Sequence, residues 1–363
     1  MTFSSPCPSL SAEERRRALL ARHGYNVTPS QVFHRLVEGF EQAGVPQLFN
    51  ARIGTLHTRF SIVGSTLAEA LWAPFAHLRL DDARDQTPAL TVEVWASPAL
   101  SDDVPTAPHP WGLVVDDPEH RLFHDWRPES DMVLDVRAGR IVGRMEAPSR
   151  WQPDQWARPL HRLMAGVLSH AGIVMLHAAL VGSGGDAVLL AGAGGSGKST
   201  TALACLFAGL DLLGDDTIAV AIHDQEVIGY SLYATALANP FYLGQHGFDC
   251  ERFAPQTLAN EDKPLWRLPP APPWNRIRAI LLPCIGGTGR TVIEPARSGD
   301  FLRAAAAHST FVNIQNRYQA MEVMAEMAKR LPVWRLTLAS DPAEVVARVR
   351  DFIGTRGRNG ADP

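Results

Sequence analysis

Cysteine is scarce in this 363-residue chain: Cys7, Cys205, Cys250 and Cys284 are scattered, with no CxxC pair and no histidines at zinc-site spacing. That argues against a disulfide scaffold or a zinc ribbon and makes free thiols the expectation. No apolar run approaches the length of a membrane span, and the opening residues, MTFSSPCPSLSAEERRR, lack the charged-then-apolar order of a secretory signal. A membrane is therefore not an expected partner, and the cytoplasm is the expected compartment. Neither charge sign is in excess. A formal charge of −4 offers no electrostatic reason to expect nucleic acid. The basic triplet Arg15, Arg16 and Arg17 directly follows Glu13 and Glu14, as on a solvated helix face. No internal repeat is visible.

The composition that remains is that of a globular protein: 46% hydrophobic and 20% charged residues. The length suits two domains, each with a core of its own. A proline-marked connection from Pro148 to Pro153 is the expected boundary. It divides an N-terminal α+β domain of unknown role, residues 1–147, from a second domain, 148–353, with a disordered tail from Gly354 to Pro363.

In the first domain, Ser11 with Glu14 has capping-box character and opens a helix to about His23. Pro29 to Ala43 is a second helix, with Val32, Leu36, Val37 and Phe40 on its apolar face and Gly44 at its end. Arg59–Val63, Ala89–Trp95 and Trp111–Val115 read as strands, Leu67–Phe75 as helix, and Asp131–Met145 as a hairpin turning at Ala138 and Gly139. The acidic pairs Asp81-Asp82, Asp102-Asp103 and Asp116-Asp117 fall in loop-like settings and read as solvated turns.

The second domain is organised around DAVLLAGAGGSGKSTTALACLFAGLDLLGDDTIAV, residues 186–220. An apolar run, Ala187 to Ala191, leads into Gly192, Ala193, Gly194, Gly195, Ser196, Gly197, Lys198 and Ser199, which fits GxxxxGK[ST]. An amphipathic helix over Thr200–Ala208 should follow. Glycines let backbone N–H groups close on phosphate oxygens, and the helix start adds its positive dipole end. In that pattern Lys198 reaches the β- and γ-phosphates and the Ser199 hydroxyl ligates Mg²⁺. Trp156–His170 reads as a helix. Ile173–Val181 reads as one buried strand carrying His177, and the short turn Gly182–Gly185 makes it an antiparallel neighbour of the strand before the loop. Asp215 and Asp216 follow Lys198 by only 17 and 18 residues, at the end of the apolar strand Leu210–Leu213. Such closeness brings a carboxylate to the phosphate loop without a long crossover. One aspartate can serve as base while the other holds Mg²⁺. Strands at Thr217–Ile222, Ile228–Leu232, Ala279–Leu282, Thr291–Glu294 and Val333–Leu338, helices at Gly299–Ala307, Tyr318–Leu331 and Pro342–Ile353, and a loop over Ala254–Pro273 complete the reading.

His177 in LHAALV, an apolar strand, GAGGSGKST, a helix ending in AGLDLL, and then GDD together resemble the catalytic core of the HPr kinase/phosphorylase family and its related serine kinases. The resemblance implies an α/β fold with the mixed-sheet P-loop kinase core of the HPr kinase C-terminal type. It implies ATP bound by Gly192 to Thr200, Asp215 as base toward a serine with Asp216 beside it, and a site role for His177. Where that family usually has an acidic residue after the loop serine, this chain has Thr200, and the family's later glycine-rich signature has no counterpart after Val220. A peptide or small-molecule hydroxyl is thus expected as acceptor in place of HPr, with Mg²⁺ as cofactor and homo-oligomers compatible with the reading. Lys263 first, then Arg267, Arg290 and Arg297, are candidates to neutralise charge on the transferred group. A nucleotide-binding switch or sensor with weak ATPase activity is the open alternative.

Overall fold

The computed structural model describes residues 28–83, 86–97, 113–116, 118–126, 129–239, 241–249, 264–286, 289–313 and 316–358. The helix expected at 11–23, Cys7, Cys250, the pair Asp102-Asp103, most of the loop at 254–263 and Lys263 lie outside the described residues. The protein is mixed α/β, and its chain divides into two compact units. The first takes the described residues of Met1–Ala51, Leu56–Trp72 and Leu80–Gln155; the second takes Arg52–Thr55, Ala73–Arg79 and those of Trp156–Pro363.

The first unit opens with helix α1 (Pro29–Ala43), and its start is written in the sequence: Thr28 and Gln31 form a reciprocal capping box and Pro29 occupies the first turn. Strands β1 (Gln47–Ile53) and β2 (Leu56–Val63), helix α2 (Ser65–Trp72), and strands β3 (Leu90–Ser97), β4 (Leu113–Asp116), β5 (His120–Trp126), β6 (Glu129–Asp135) and β7 (Arg140–Glu146) follow. The sheet order is β1-β2-β3-β7-β6-β5-β4. Val32, Phe33 and Leu36 of α1 pack on Leu122, Val133 and Val142 of that sheet. Sequence periodicity does not reveal β1 or β5, because their polar positions (Asn50, His120, His124) break the apolar alternation.

A short helix, α3 (Pro153–Ala157), precedes α4 (His161–His170). The single helix expected over 156–170 is thus two, parted at Leu160, whose φ of 56° is left-handed. Pro159, which a helix interior does not accommodate, lies in that break. The apolar stretch expected as one strand is also two, β8 (Val174–Leu176) and β9 (Ala178–Ser183), separated at His177. Then come β10 (Asp186–Ala191), α5 (Lys198–Phe207), β11 (Asp211–Gly214), β12 (Ile218–His223), β13 (Glu226–Tyr230), β14 (Thr235–Leu237), α6 (Phe241–Gln245), β15 (Leu265–Arg267), β16 (Trp274–Ile285), β17 (Val292–Pro295), α7 (Ser298–Val312), α8 (Arg317–Arg330), β18 (Val333–Leu338) and α9 (Pro342–Arg358). Helix α9 continues through residues 354–358, the first part of the stretch read as a structureless tail, despite the glycines at 354 and 357.

The second unit's main sheet runs β11-β9-β10-β16, and the long β16 carries β13 along its first residues and β18 along its last. As the tight turn implied, β9 and β10 are antiparallel. Helices cover both faces. Val188 and Leu190 face a core shared with α5 and α9, while Ala187 and Leu189 face one shared with α7 and α8. Burial on both faces is why these strands read as continuous apolar runs.

Candidate active site

Strand pairing decides what meets what. β9 lies between β10 and β11 and is antiparallel to both, so β10 and β11 run the same way. Ala191, the last residue of β10, pairs with Ala178, and Gly214, the last of β11, pairs with Leu180. The glycine loop, the Asp215-Asp216 turn and His177 just ahead of Ala178 therefore converge at one end of the sheet. Carboxyl ends of adjacent strands are where α/β sheets place ligands.

The loop between β10 and α5 is built by two left-handed glycines, Gly195 (φ 78°) and Gly197 (φ 96°), the latter serving as N-cap of α5. Its crown, Ala193 to Gly195, is exposed, whereas Gly192 and Lys198 are buried. A Cβ added at Gly194 or Gly195 would meet nothing within 4 Å, so open space lies over the crown. At Gly197 the same Cβ would stand 2.3 Å from Leu338 Cδ1. Lys198 Nζ donates to the carbonyls of Gly192 (2.7 Å) and Ala193 (3.1 Å), which folds the ammonium back under the loop. Ser196 Oγ is buried with no hydrogen-bond partner. Ser199 and Thr200 are half-buried in the first turn of α5.

In the Asp-Asp turn, Thr217 N donates to Asp215 O (2.8 Å) around Asp216, whose φ of 67° is left-handed. An i to i+2 bond about such a residue is the uncommon, strained form of γ-turn, and aspartate is among the few side chains that tolerate it. The turn buries Asp215, 3% exposed, and presents Asp216 to two partners. Arg158 ion-pairs with Asp216 Oδ2, and His177 Nδ1 lies 3.0 Å from Asp216 Oδ1 and 3.1 Å from Asp216 O. Since both of those atoms only accept, Nδ1 carries the imidazole proton. Burial, then electrostatic interaction with Lys198, His308 and Arg158, pushes His177 down to about 4, so the ring is neutral at pH 7. His177 stacks on His308 (centroids 4.8 Å apart), and its backbone N–H donates to Ser309 Oγ. Behind the turn, His161 meets Thr217 Oγ1 at 3.0 Å, and burial followed by the Arg158 charge pushes it down to about 3.

The residues singled out from sequence thus divide. Gly192–Thr200, His177, Asp215 and Asp216 gather at one sheet end. Arg267 lies on β15, Arg290 stands exposed ahead of β17, and Arg297 caps α7 in a pair with Asp300. Sequence reasoning missed Arg158, His161, His308 and Ser309, which reach the site from distant segments without any local motif. Among the described residues, no group of three or more His, Cys, Asp or Glu side chains gathers to hold a metal, and no helix is long and apolar enough to cross a membrane.

No family model matches the sequence, and no curated protein does. Among solved structures the chain is similar to the Hpr(Ser) kinase/phosphatase from Coxiella burnetii, with 12% identity, 50% of this chain and 97% of that chain covered, and a TM-score of 0.28.

Proposed function

We propose that the chain is a kinase that uses ATP and Mg²⁺ to phosphorylate a hydroxyl, a serine or threonine of a peptide or protein being the first acceptor class to test. One observation carries this reading: a glycine loop with open space over its crown and a buried lysine beneath it shares a sheet end with a buried carboxylate, Asp215. A cradle for phosphate alone has no need of that carboxylate, whereas transfer to a hydroxyl needs a proton acceptor beside it.

The residues present fit a nucleoside triphosphate. The space over Gly194 and Gly195 would seat phosphate oxygens against loop N–H groups. Lys198 supplies the cation beneath. A Mg²⁺ bound there would neutralise phosphate charge; its protein ligands would be Ser199 Oγ and Asp216, whose oxygens keep further lone pairs beside Arg158 and His177. In the transfer, Asp215 takes the acceptor's proton as its oxygen bonds to the γ-phosphorus. The bond from that phosphorus to the β,γ-bridging oxygen breaks, and ADP departs. Asp216, gripped by Arg158 and His177, holds the strained turn that aims Asp215, and Arg158 brings positive charge to the same sheet end. With a pKa near 4, His177 is a poor proton acceptor at neutral pH and acts as a positioning group.

The test is incubation with γ-labelled ATP and an array of serine- and threonine-containing peptides. Label should appear on peptide with the native chain and vanish with Asp215→Asn. Release of free phosphate alone, equal in both proteins, would favour a nucleotide-dependent switch.

A further inference from the structure

On the other flank of the loop, a cavity of about 340 Å³ opens at the carboxyl ends of β16 and β18. Gly197 belongs both to the loop and to the cavity wall, so the two are continuous. The wall includes Thr201 on α5, Ile285 at the end of β16, Leu338 and Ser340 at the end of β18, and Tyr242 of α6. Resting on the proposal that the loop seats phosphates, we propose that this cavity takes the base of the nucleotide, a purine, and that Tyr242 is its specificity-determining wall.

The sheet order carries the argument. β10 stands between β9, which leads to β11, and β16, which leads to β18. The ion pair of Arg158 with Asp216 lies toward β9 and β11, whereas the space toward β16 and β18 is lined chiefly by apolar groups. A nucleoside triphosphate is asymmetric in the same sense: one end is a highly charged phosphoryl group, the other a flat ring with apolar faces. Laid over the loop with its γ-phosphate toward Asp215, it must direct its base into this cavity. The size is within the range of small-molecule sites, and apolar walls with a few fixed polar groups suit a heteroaromatic ring.

Tyr242 is built for the task. Its hydroxyl donates to the backbone carbonyl of Ser340, which ties α6 to the end of β18, and its ring packs on His246 at 4.5 Å between centroids. The side chain nevertheless remains 39% exposed. An aromatic ring held by its hydroxyl at the rim of an apolar cavity offers a stacking surface without a large ordering cost. Ile285, also on the cavity wall, is 75% exposed.

The experiment is calorimetric titration of the native chain, Tyr242→Ala and Ile285→Asp with ATP, CTP and inorganic tripolyphosphate, in Mg²⁺ and without any acceptor. Both substitutions are at exposed positions, and circular dichroism verifies folding. The expected result is tighter binding of ATP than CTP by the native chain. Each variant should lose at least tenfold for ATP and less than twofold for tripolyphosphate. The inference is overturned if the variants bind ATP as the native chain does, if ATP and tripolyphosphate weaken equally, or if CTP binds as well as ATP. If the native chain binds neither ATP nor tripolyphosphate, the phosphate-seat reading falls and takes the inference with it. Failure to phosphorylate any acceptor touches neither result.

Discussion

Two glycines of the same loop should respond to alanine in opposite ways. At Gly197 the φ of 96° charges an L-residue about 1–2 kcal/mol. The new Cβ also falls 2.3 Å from Leu338 Cδ1. That atom is the end of a side chain able to swing aside, so overpacking adds only about 1 kcal/mol, the low end of its range. Gly197→Ala should therefore cost about 2–3 kcal/mol of folding stability. Gly194 has no left-handed φ, and its added Cβ meets nothing within 4 Å. Gly194→Ala should leave stability within about 0.5 kcal/mol of native, since reduced freedom of the unfolded chain offsets small losses. Yet that methyl enters the space assigned to phosphate, and tripolyphosphate affinity should drop at least about tenfold, 1.4 kcal/mol. Urea unfolding gives the first quantity and calorimetric titration the second. Gly194→Ala with native stability and native tripolyphosphate affinity would refute the assignment of the open crown as the phosphate seat.

Arg158→Ala leaves the strained Asp216 turn held from one side; for a pair with side chains 19% and 29% exposed the stability loss should be about 1–2 kcal/mol. Single-turnover transfer should slow about a hundredfold with ATP affinity changed less than about threefold, and Arg158→Lys should recover stability more than rate. Acid should destabilise the second unit. His77 and His177 sit near 4 and His161 near 3, all below the unfolded value of 6.5, so the unfolded chain binds more protons in that interval. Stability is complete above pH 6.5 and declines as pH falls toward 4, by up to about 2 kcal/mol at pH 5 for His161, which urea midpoints at pH 7.5 and 5 with and without His161→Gln will measure. In the first unit, Asp131 is fully buried and accepts from His124 and Arg144, so Asp131→Ala should cost about 3 kcal/mol in urea unfolding by removing the shared partner of both and leaving Arg144 only Glu129 at 4.0 Å, and Asp131→Asn less.

The local parts of this structure were legible in the residues themselves. The apolar run before Gly192, the glycines, and the amphipathic helix after them predict β10, the loop and α5, because strand, turn and helix each follow from neighbouring side chains. Helix α1 and strand β18 have the bounds that their patterns imply. What stayed hidden was non-local. His177 interrupts an apolar run that reads as one strand; the break arises because β8 pairs with β12 while β9 pairs with β10 and β11. The amide of Asn313 further pins β8, bonding both Met175 N and Met175 O from α7. Arg158 has no motif around it. It is placed by Thr235 Oγ1 and Tyr233 Oη, which donate to the carbonyls of Ala157 and Pro159, and by the left-handed Leu160. Of the cations expected from loop composition, Arg297 sits at the start of α7 beside Asp300, while Arg267 stands opposite Thr235, whose hydroxyl donates to the carbonyl of Ala157 next to Arg158.

The central claim is that Asp215 accepts a proton from a hydroxyl that attacks ATP held on the glycine loop. Its most direct measurement is single-turnover transfer from γ-labelled ATP to a responsive serine peptide, in native and Asp215→Asn proteins, with ATP affinity measured on the same samples. The account predicts ATP binding within about threefold of native for Asp215→Asn and a loss of labelled peptide of at least about a hundredfold, the scale of general-base catalysis. Labelled peptide formed at the native rate by Asp215→Asn would contradict it.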